Sequence, residues 1–180
     1  GAMMSLQATE QEVRGVLTDT PGRVDIAGLN GPRQTVISGD QAAVERVGEY
    51  FGSLGRKCSQ LDVSHAFHSA HMDSMLEALR EVASECVIRP AQVPIVGNVT
   101  GKVLSAEELA DPDYWVRHVR GAVRFVDGMH TLDAAGVGTY LECGPRGVLS
   151  GMGAACVDDA VLIPSHRRDR DETATLMHAL

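Results

Sequence analysis

Three histidines, His65, His68 and His71, lie close together in the segment from Val63 to Met72, which reads Val-Ser-His-Ala-Phe-His-Ser-Ala-His-Met. They fall where a strand-like run ends and an amphipathic helical pattern begins. Imidazole has an unperturbed pKa close to neutrality, so a histidine at such a junction is well placed to take up and release a proton. The segment is therefore a candidate acid-base site.

Two other interpretations of these histidines have to be weighed. A spacing of three would put them on one side of a helix, as metal ligands need, but no Glu or Cys completes a usual zinc set and His65 precedes the predicted helix. A hydrogen-bonded structural histidine is the more common case. The residues alone predict no metal site, and they leave a base and a structural role both open.

The elements before the histidines follow a regular order. The patterns predict strands at 4–7, 24–29, 35–38 and 57–63. One helix starts after the capping-box pattern Thr9-x-x-Glu12, and a second starts after Asp40 as its N-cap. The turn Asn30-Gly31-Pro32 joins the two middle strands into a hairpin. The resulting β-α-β-β-α-β order is the ferredoxin-like one, and it predicts a small α+β subdomain over residues 1–63.

The chain after the histidines, 64–180, is predicted to be α/β. Ser69 is predicted to cap a helix whose apolar stripe at helical spacing is typical of core. Asp111-Pro112 predicts another helix start, and one more helix is predicted over 125–135. Val93–Val96 and Val161–Ile163 are short apolar runs typical of buried strands, with a further strand at 139–142. Helices alternating with strands indicate a parallel sheet covered on both faces.

Composition restricts the class of protein. The chain has 180 residues, 44% of them hydrophobic, and a formal net charge of -8. The negative charge argues against nucleic acid or an anionic membrane surface as partners, and no apolar run is long enough to span a membrane. The four cysteines are widely separated, which favours reduced thiols and a cytoplasmic protein.

The segment Ser64-His65-Ala66-Phe67-His68-Ser69-x-x-Met72 resembles the His-Ala-Phe-His signature of the acyltransferase domains of polyketide synthases, which load malonyl units onto acyl carrier proteins. The likeness continues through further stretches in the family's order. These are Val24–Asp40, Asn98–Gly101, Asp111–Phe125, Leu141–Leu149 and Ser165–Glu172. Together they cover nearly the whole chain.

The resemblance implies a fold, a substrate and partners. The ferredoxin-like unit is expected to be a subdomain inserted in an α/β-hydrolase-like body, of which 64–180 is the C-terminal part. Malonyl-CoA is the expected substrate, and the phosphopantetheine thiol of an acyl carrier protein is the expected acceptor. No cofactor is expected to be bound by the chain itself. The family's nucleophile is the serine of a Gly-His-Ser-x-Gly elbow, and no Gly-x-Ser-x-Gly occurs here. We therefore expect that serine in an N-terminal half, which becomes a further partner.

The resemblance also implies roles for individual residues. His68 matches the second histidine of the signature, which in the family is the base of a Ser-His dyad. His65 matches the first histidine, which goes with the choice of extender unit. Phe67 accompanies malonyl selection, because a ring beside the acyl α-carbon leaves little room for a methyl group. One methyl group is worth only about 1 to 3 kcal/mol of discrimination.

Two further residues are expected at the site, and the remaining histidines are not. The backbone carbonyl of Glu108 aligns with the family's group that orients the base, and Asn98 is a possible site wall. Structural roles are predicted for the other histidines, which are His71, His118, His130, His166 and His178.

Two alternatives to a transacylase part remain open. One is a non-catalytic module that docks an acyl carrier protein or synthase, partly through the mixed-charge run Arg167–Glu172. The other is a free-standing ferredoxin-like ligand-binding domain, which leaves the chain after His68 unexplained.

Overall fold

The structure, a computed structural model, describes residues 1–168 and 170–179, with the side chains of 178 and 179 left out. Contacts divide the chain into two compact units, Gly1–Gly128 and Met129–Leu180. The subdomain boundary predicted after Val63 lies inside the first unit, so that division stays a prediction. Of the charged run Arg167–Glu172, Asp169 lies outside the described residues.

The first unit begins with an antiparallel sheet of four strands. Its elements are β1 (Ala2–Leu6), α1 (Glu10–Thr18), β2 (Val24–Gly31), β3 (Gln34–Gly39), α2 (Gln41–Ser53) and β4 (Cys58–Gln60). The strands lie in the order β2-β3-β1-β4. The core contains fully buried side chains from β1, α1, β3 and α2, namely Leu6, Val13, Ile37, Val44 and Val47. This is the β-α-β-β-α-β element order that the sequence predicts.

The two predicted helix starts differ in their chemistry. Thr9 and Glu12 form the expected capping box, in which the Glu12 N–H donates to Thr9 Oγ1 at 3.2 Å and the Thr9 N–H donates to Glu12 Oε2 at 2.8 Å. Asp40 stands at the N-cap position of α2, but its side chain makes no capping hydrogen bond. The prediction that its carboxylate caps α2 is wrong, because that carboxylate accepts from the Arg23 N–H at 3.0 Å instead.

The rest of the first unit contains short helices and an irregular stretch between them. A 3-10 helix (Ala70–Met75) precedes α3 (Leu76–Glu85), and α4 (Ala106–Ala110) precedes α5 (Pro112–Arg120). The predicted start of α5 is confirmed, because Asp111 Oδ1 accepts from the Asp113 N–H at 2.9 Å and proline follows the cap.

Two apolar patterns of this region were misinterpreted as core. The run from Val93 to Val96 forms no strand, only an isolated bridge between Val96 and Val103, and Val93 is 73% exposed. The stripe of α3 has no buried member, and Val82 is 62% exposed. Neither run is buried, although α3 packs against α5.

The second unit contains a short parallel sheet. α6 (Phe125–Ala134) begins in the first unit and continues into the second, where β5 (Thr139–Glu142), α7 (Val148–Gly153), β6 (Val161–Pro164) and α8 (Glu172–Ala179) follow. β5 and β6 pair in parallel, with Thr139 opposite Val161. The parallel pairing is as predicted, but burial on both faces is not, since Leu141 is 50% and Val161 54% exposed. No helix among the described residues is both long and apolar enough to cross a membrane.

Candidate active site

His68 has a backbone conformation that is rare for a residue with a side chain. Its φ is +57°, in the left-handed region, within the turn that links β4 to the 3-10 helix. A non-glycine residue in such a sparsely populated region stores roughly 1 to 3 kcal/mol of strain and persists only where its surroundings hold it. Strained residues of this kind cluster at functional sites, so the contacts that hold this turn are of interest.

Ser69 holds the turn from inside. Its side chain is buried, its Oγ donates to the Ala66 carbonyl at 2.6 Å, and the same oxygen accepts from the His71 N–H at 3.2 Å. The predicted cap is therefore confirmed, although it begins a 3-10 helix rather than an α-helix. These bonds fix the backbone on both sides of His68.

Asp25 of β2 fastens the same turn from outside. Its Oδ2 accepts from the Ala70 N–H at 3.0 Å and lies 3.2 Å from an Arg120 guanidinium nitrogen. Arg120 also pairs with Asp73 of the 3-10 helix at 2.8 Å. A single arginine of α5 thus connects β2 to the element that begins just after His68.

Asp40 makes the second outside contact. The ring Nε2 of His71 lies 2.8 Å from Asp40 Oδ1. The backbone N–H of Arg23 and the ring of His71 together hold the pKa of Asp40 below its usual value, although burial opposes them. His71 therefore has the structural role that was predicted for it: it ties the turn to the start of α2.

The His68 ring itself has an unused nitrogen. Its Nδ1 is buried and has no hydrogen-bond partner among the described residues. The ring packs edge-on against that of His118, with centroids 6.4 Å apart and planes at 82°. A buried polar atom without a partner is uncommon in proteins and marks a position where a proton or an acceptor belongs.

His118 was predicted to be structural, and its place beside His68 is the main feature that sequence reasoning missed. Its Nε2 lies 3.5 Å from Asn98 Nδ2, and its ring stacks on that of Tyr114 at 6.2 Å. Burial, and then the charge of His68, lower the pKa of His118. Spacings of four and three predict that Tyr114 and Trp115 each neighbour His118 on the helix, but no local pattern indicates the approach of His118 to His68.

The two predicted specificity residues lie together on the surface side of the turn. His65 is exposed, its Nδ1 lies 2.9 Å from Ser64 Oγ, and its ring centroid is 5.8 Å from that of Phe67. Phe67 is 44% exposed. The one ring contact described for His65 and Phe67 is the contact between them. Because both side chains are exposed, both are accessible to a bound molecule.

The described hydrogen bonds of Glu108 lie within its own segment. Its backbone carbonyl accepts from the Asp111 N–H at 3.3 Å, and its carboxylate completes a capping box with Ser105 at the start of α4. Since His68 Nδ1 has no described partner, the expected hydrogen bond between the Glu108 carbonyl and His68 is not formed. Asn98 contacts His118, and its place in a site wall stays a prediction.

Metal-ligating side chains do not converge at this turn. Among the described residues, no group of three or more His, Cys, Asp and Glu side chains is arranged to hold a metal ion. His71 is instead paired with Asp40.

Comparison with known proteins identifies the family. The model of the acyl transferase domain matches residues 1–180, so the chain belongs to this family. It is 43% identical over its whole length to the spectinabilin polyketide synthase system protein NorB of Streptomyces orinoci, of which it covers 9%. It is 42% identical to mycoketide-CoA synthase of Mycobacterium tuberculosis, of which it covers 4%. These relatives are polyketide synthases, and the chain spans a small part of each.

Solved structures agree on the fold. The acyltransferase domain from the second module of the salinomycin polyketide synthase is 45% identical, with a TM-score of 0.93, covering 99% of this chain and 42% of that one. A type II polyketide malonyl-transacylase, solved in complex with its acyl-carrier protein, is 29% identical with a TM-score of 0.88, covering 99% and 57%. The chain therefore has the mixed α/β fold of an acyltransferase domain and spans less than two thirds of each of these structures.

Proposed function

We propose that this chain forms the C-terminal part of a polyketide synthase acyltransferase domain that transfers malonyl from CoA to the phosphopantetheine thiol of an acyl carrier protein. Residues 1–63 are its ferredoxin-like subdomain, and 64–180 belong to its α/β-hydrolase-like body. His68 is the base of a Ser-His dyad whose serine lies in an N-terminal segment.

The observation that carries this proposal is the conformation of His68. It is held in a strained turn by Ser69 and Asp25, with one buried nitrogen free of any described partner. Strain that the surroundings maintain around a titratable ring is more easily explained by chemistry than by packing.

A transacylase needs one group that moves a proton in both directions. A serine hydroxyl becomes a nucleophile when a neighbouring base takes its proton as it attacks the malonyl thioester. The resulting imidazolium then protonates the departing CoA thiolate. In the second half-reaction the neutral ring takes the pantetheine thiol proton and returns it to the serine. His68 can perform these steps because imidazole titrates near neutral pH.

Exposed apolar side chains support a covering N-terminal segment. Within the second unit they are found on β5, β6, α7 and α8, and they comprise Leu141, Val148, Leu149, Val161, Leu176 and Met177. Neighbouring apolar side chains left open to water mark an interaction surface. The salinomycin acyltransferase structure, of which this chain covers 42%, contains further chain that could serve this purpose.

The expected substrate follows from two sources. Phe67, beside His65, would stand close to the acyl α-carbon and disfavour a branching methyl group, which supports malonyl. The related transacylase was solved with its acyl-carrier protein, which supports that class of acceptor for this chain.

The test uses a completed domain, in which this chain is fused behind the serine-bearing N-terminal part of the salinomycin second-module acyltransferase. We expect malonyl transfer from CoA to a carrier protein, and a loss of at least about a hundredfold in His68→Ala. The exposed His130 on α6 supplies the matched control, and His130→Ala should keep the rate. Transfer by His68→Ala at the control's rate would rule out His68 as the base.

A further inference from the structure

The ring of His118 is fixed from three directions. Tyr114 stacks on it at 6.2 Å with planes 17° apart, and Trp115 meets it edge-on at 6.2 Å. Asn98 Nδ2 lies 3.5 Å from its Nε2. The His68 ring packs against it in an edge-to-face arrangement, with ring centroids 6.4 Å apart.

The backbone of Asn98 is anchored next to the ring of His118. Its backbone carbonyl accepts from the Arg124 N–H at 2.8 Å. The hydroxyl of Tyr114 interacts with the backbone amides of Val99 and Asn98. Tyr114 is buried, with 4% of its surface exposed. The same tyrosine therefore supports both the His118 ring and the residue that contacts its Nε2.

The contact with Asn98 favours the neutral form of His118. In the orientation that the structure gives the Asn98 amide, its Nδ2 donates and the His118 Nε2 accepts. An imidazole with an accepting nitrogen is neutral, since both nitrogens of imidazolium carry protons. Burial and the charge of His68 act in the same direction, because both lower the pKa of His118.

The other groups around His118 leave this neutral state undisturbed. Tyr114 and Trp115 face it from its own helix, Asn98 from the segment before α4, and His68 from the turn. Of these only Tyr114 and His68 titrate. Burial raises the pKa of Tyr114, which keeps its hydroxyl uncharged at neutral pH.

We propose that His118 is a positioning residue for His68: a neutral ring, held by Asn98 and Tyr114, against which the catalytic base packs. It fixes the orientation of the His68 ring. Because it stays neutral, it adds no repulsion when His68 takes the serine proton and becomes an imidazolium. This inference rests on the proposed function, in which His68 is the base.

The test compares three substitutions in the completed domain. His118→Phe keeps a ring but removes the Nε2 acceptor, and His118→Gln restores an acceptor that Asn98 can reach. We expect His118→Phe to lower kcat by about tenfold to a hundredfold per folded molecule, with KM for malonyl-CoA changed by less than about twofold. His118→Gln should recover part of that loss. His130→Phe, on an exposed position of α6, should match the unsubstituted domain.

The third substitution, His118→Arg, tests neutrality through the pH profile. A permanent positive charge about 6.4 Å from His68 disfavours the imidazolium, so the acid limb of kcat/KM should move to lower pH by about one unit. In His118→Phe the limb should stay where it is in the unsubstituted domain. An acid limb that moves to higher pH in His118→Phe would show that the unsubstituted His118 carries a positive charge, which would contradict its neutrality.

The results that overturn the inference differ from those that overturn the proposed function. An unchanged kcat in His118→Phe, or a loss accounted for entirely by a smaller folded fraction, would show that His118 does not position the base. A loss as complete as in His68→Ala would make His118 the proton acceptor. Transfer that survives His68→Ala contradicts the proposed function itself, whatever the His118 variants do.

Discussion

The turn that carries His68 should loosen when Asp25 is removed. Asp25 of β2 accepts a hydrogen bond from this turn, donated by the Ala70 N–H at 3.0 Å. In Asp25→Ala, this N–H loses its acceptor and Arg120 loses one of its two carboxylates. Fewer contacts then hold the strained, left-handed backbone of His68 in place.

The size of the effect follows from the two lost contacts. A hydrogen bond to a charged group contributes about 1.5 to 3 kcal/mol, and the lower end applies because the Asp25 side chain is 35% exposed. An exposed ion pair adds about 0.5 kcal/mol. The sum of about 2 kcal/mol corresponds to roughly a thirtyfold change in the equilibrium between the closed and open turn.

Hydrogen exchange measured by mass spectrometry on the completed domain reports this equilibrium. The peptide covering the turn should exchange up to about thirtyfold faster in Asp25→Ala, and kcat should fall with it. Asp25→Asn keeps an oxygen for the Ala70 N–H, so it should change exchange by no more than about threefold. Asp62, an exposed carboxylate just before the turn, supplies the control Asp62→Ala. If Asp25→Ala matched that control in both exchange and kcat, Asp25 would not hold the turn.

Two further predictions concern α7 and the acyl group. Glu142 accepts hydrogen bonds from the N–H groups of Leu149 at 3.1 Å and Ser150 at 2.7 Å, and these bonds outweigh burial to lower the pKa of Glu142. Glu142→Ala should therefore destabilise the completed domain by about 1 to 2 kcal/mol at neutral pH. Because the folded-state pKa is the lower one, that difference should shrink as pH falls below the pKa of the unfolded chain, and urea unfolding at about pH 7 and about pH 3 checks this. An equal difference at both pH values would assign the effect to packing. Replacing His65 by Tyr and Phe67 by Ser should raise kcat/KM for methylmalonyl-CoA relative to malonyl-CoA by about tenfold, measured by competition between the two thioesters. An unchanged ratio would mean that these side chains do not face the acyl group.

Local patterns predicted the sheet of the first unit well. The hairpin of β2 and β3 and the Thr9–Glu12 capping box both concern residues near one another in sequence, and the structure contains both. The hairpin turn lies at Pro32 and Arg33, because Asn30 and Gly31 still belong to β2. The Asp40 contact is different, because its partner His71 is 31 residues away and no local rule identifies it. The preference of Asp for helix N-termini alone therefore led to the wrong prediction that the Asp40 side chain caps α2.

The candidate site was predictable only in part, for the same physical reason. The resemblance selected His68, and the structure adds its strained backbone and its buried, unpartnered nitrogen. His118 lies 50 positions further along, on another element, so its approach to His68 depends on how α5 packs. The apolar runs at Val93–Val96 and along α3 were taken as core because apolar periodicity does not show whether a covering element is present.

The most direct test of the central claim is the intact mass of the completed domain, measured under denaturing conditions after brief mixing with malonyl-CoA. The account predicts that the unsubstituted domain gains one malonyl group on its serine, that His130→Ala gains it equally fast, and that His68→Ala does not gain it on the same timescale. Equal acylation of His68→Ala would show that this histidine does not activate the nucleophile, and the assignment of the strained turn as the catalytic base would be wrong.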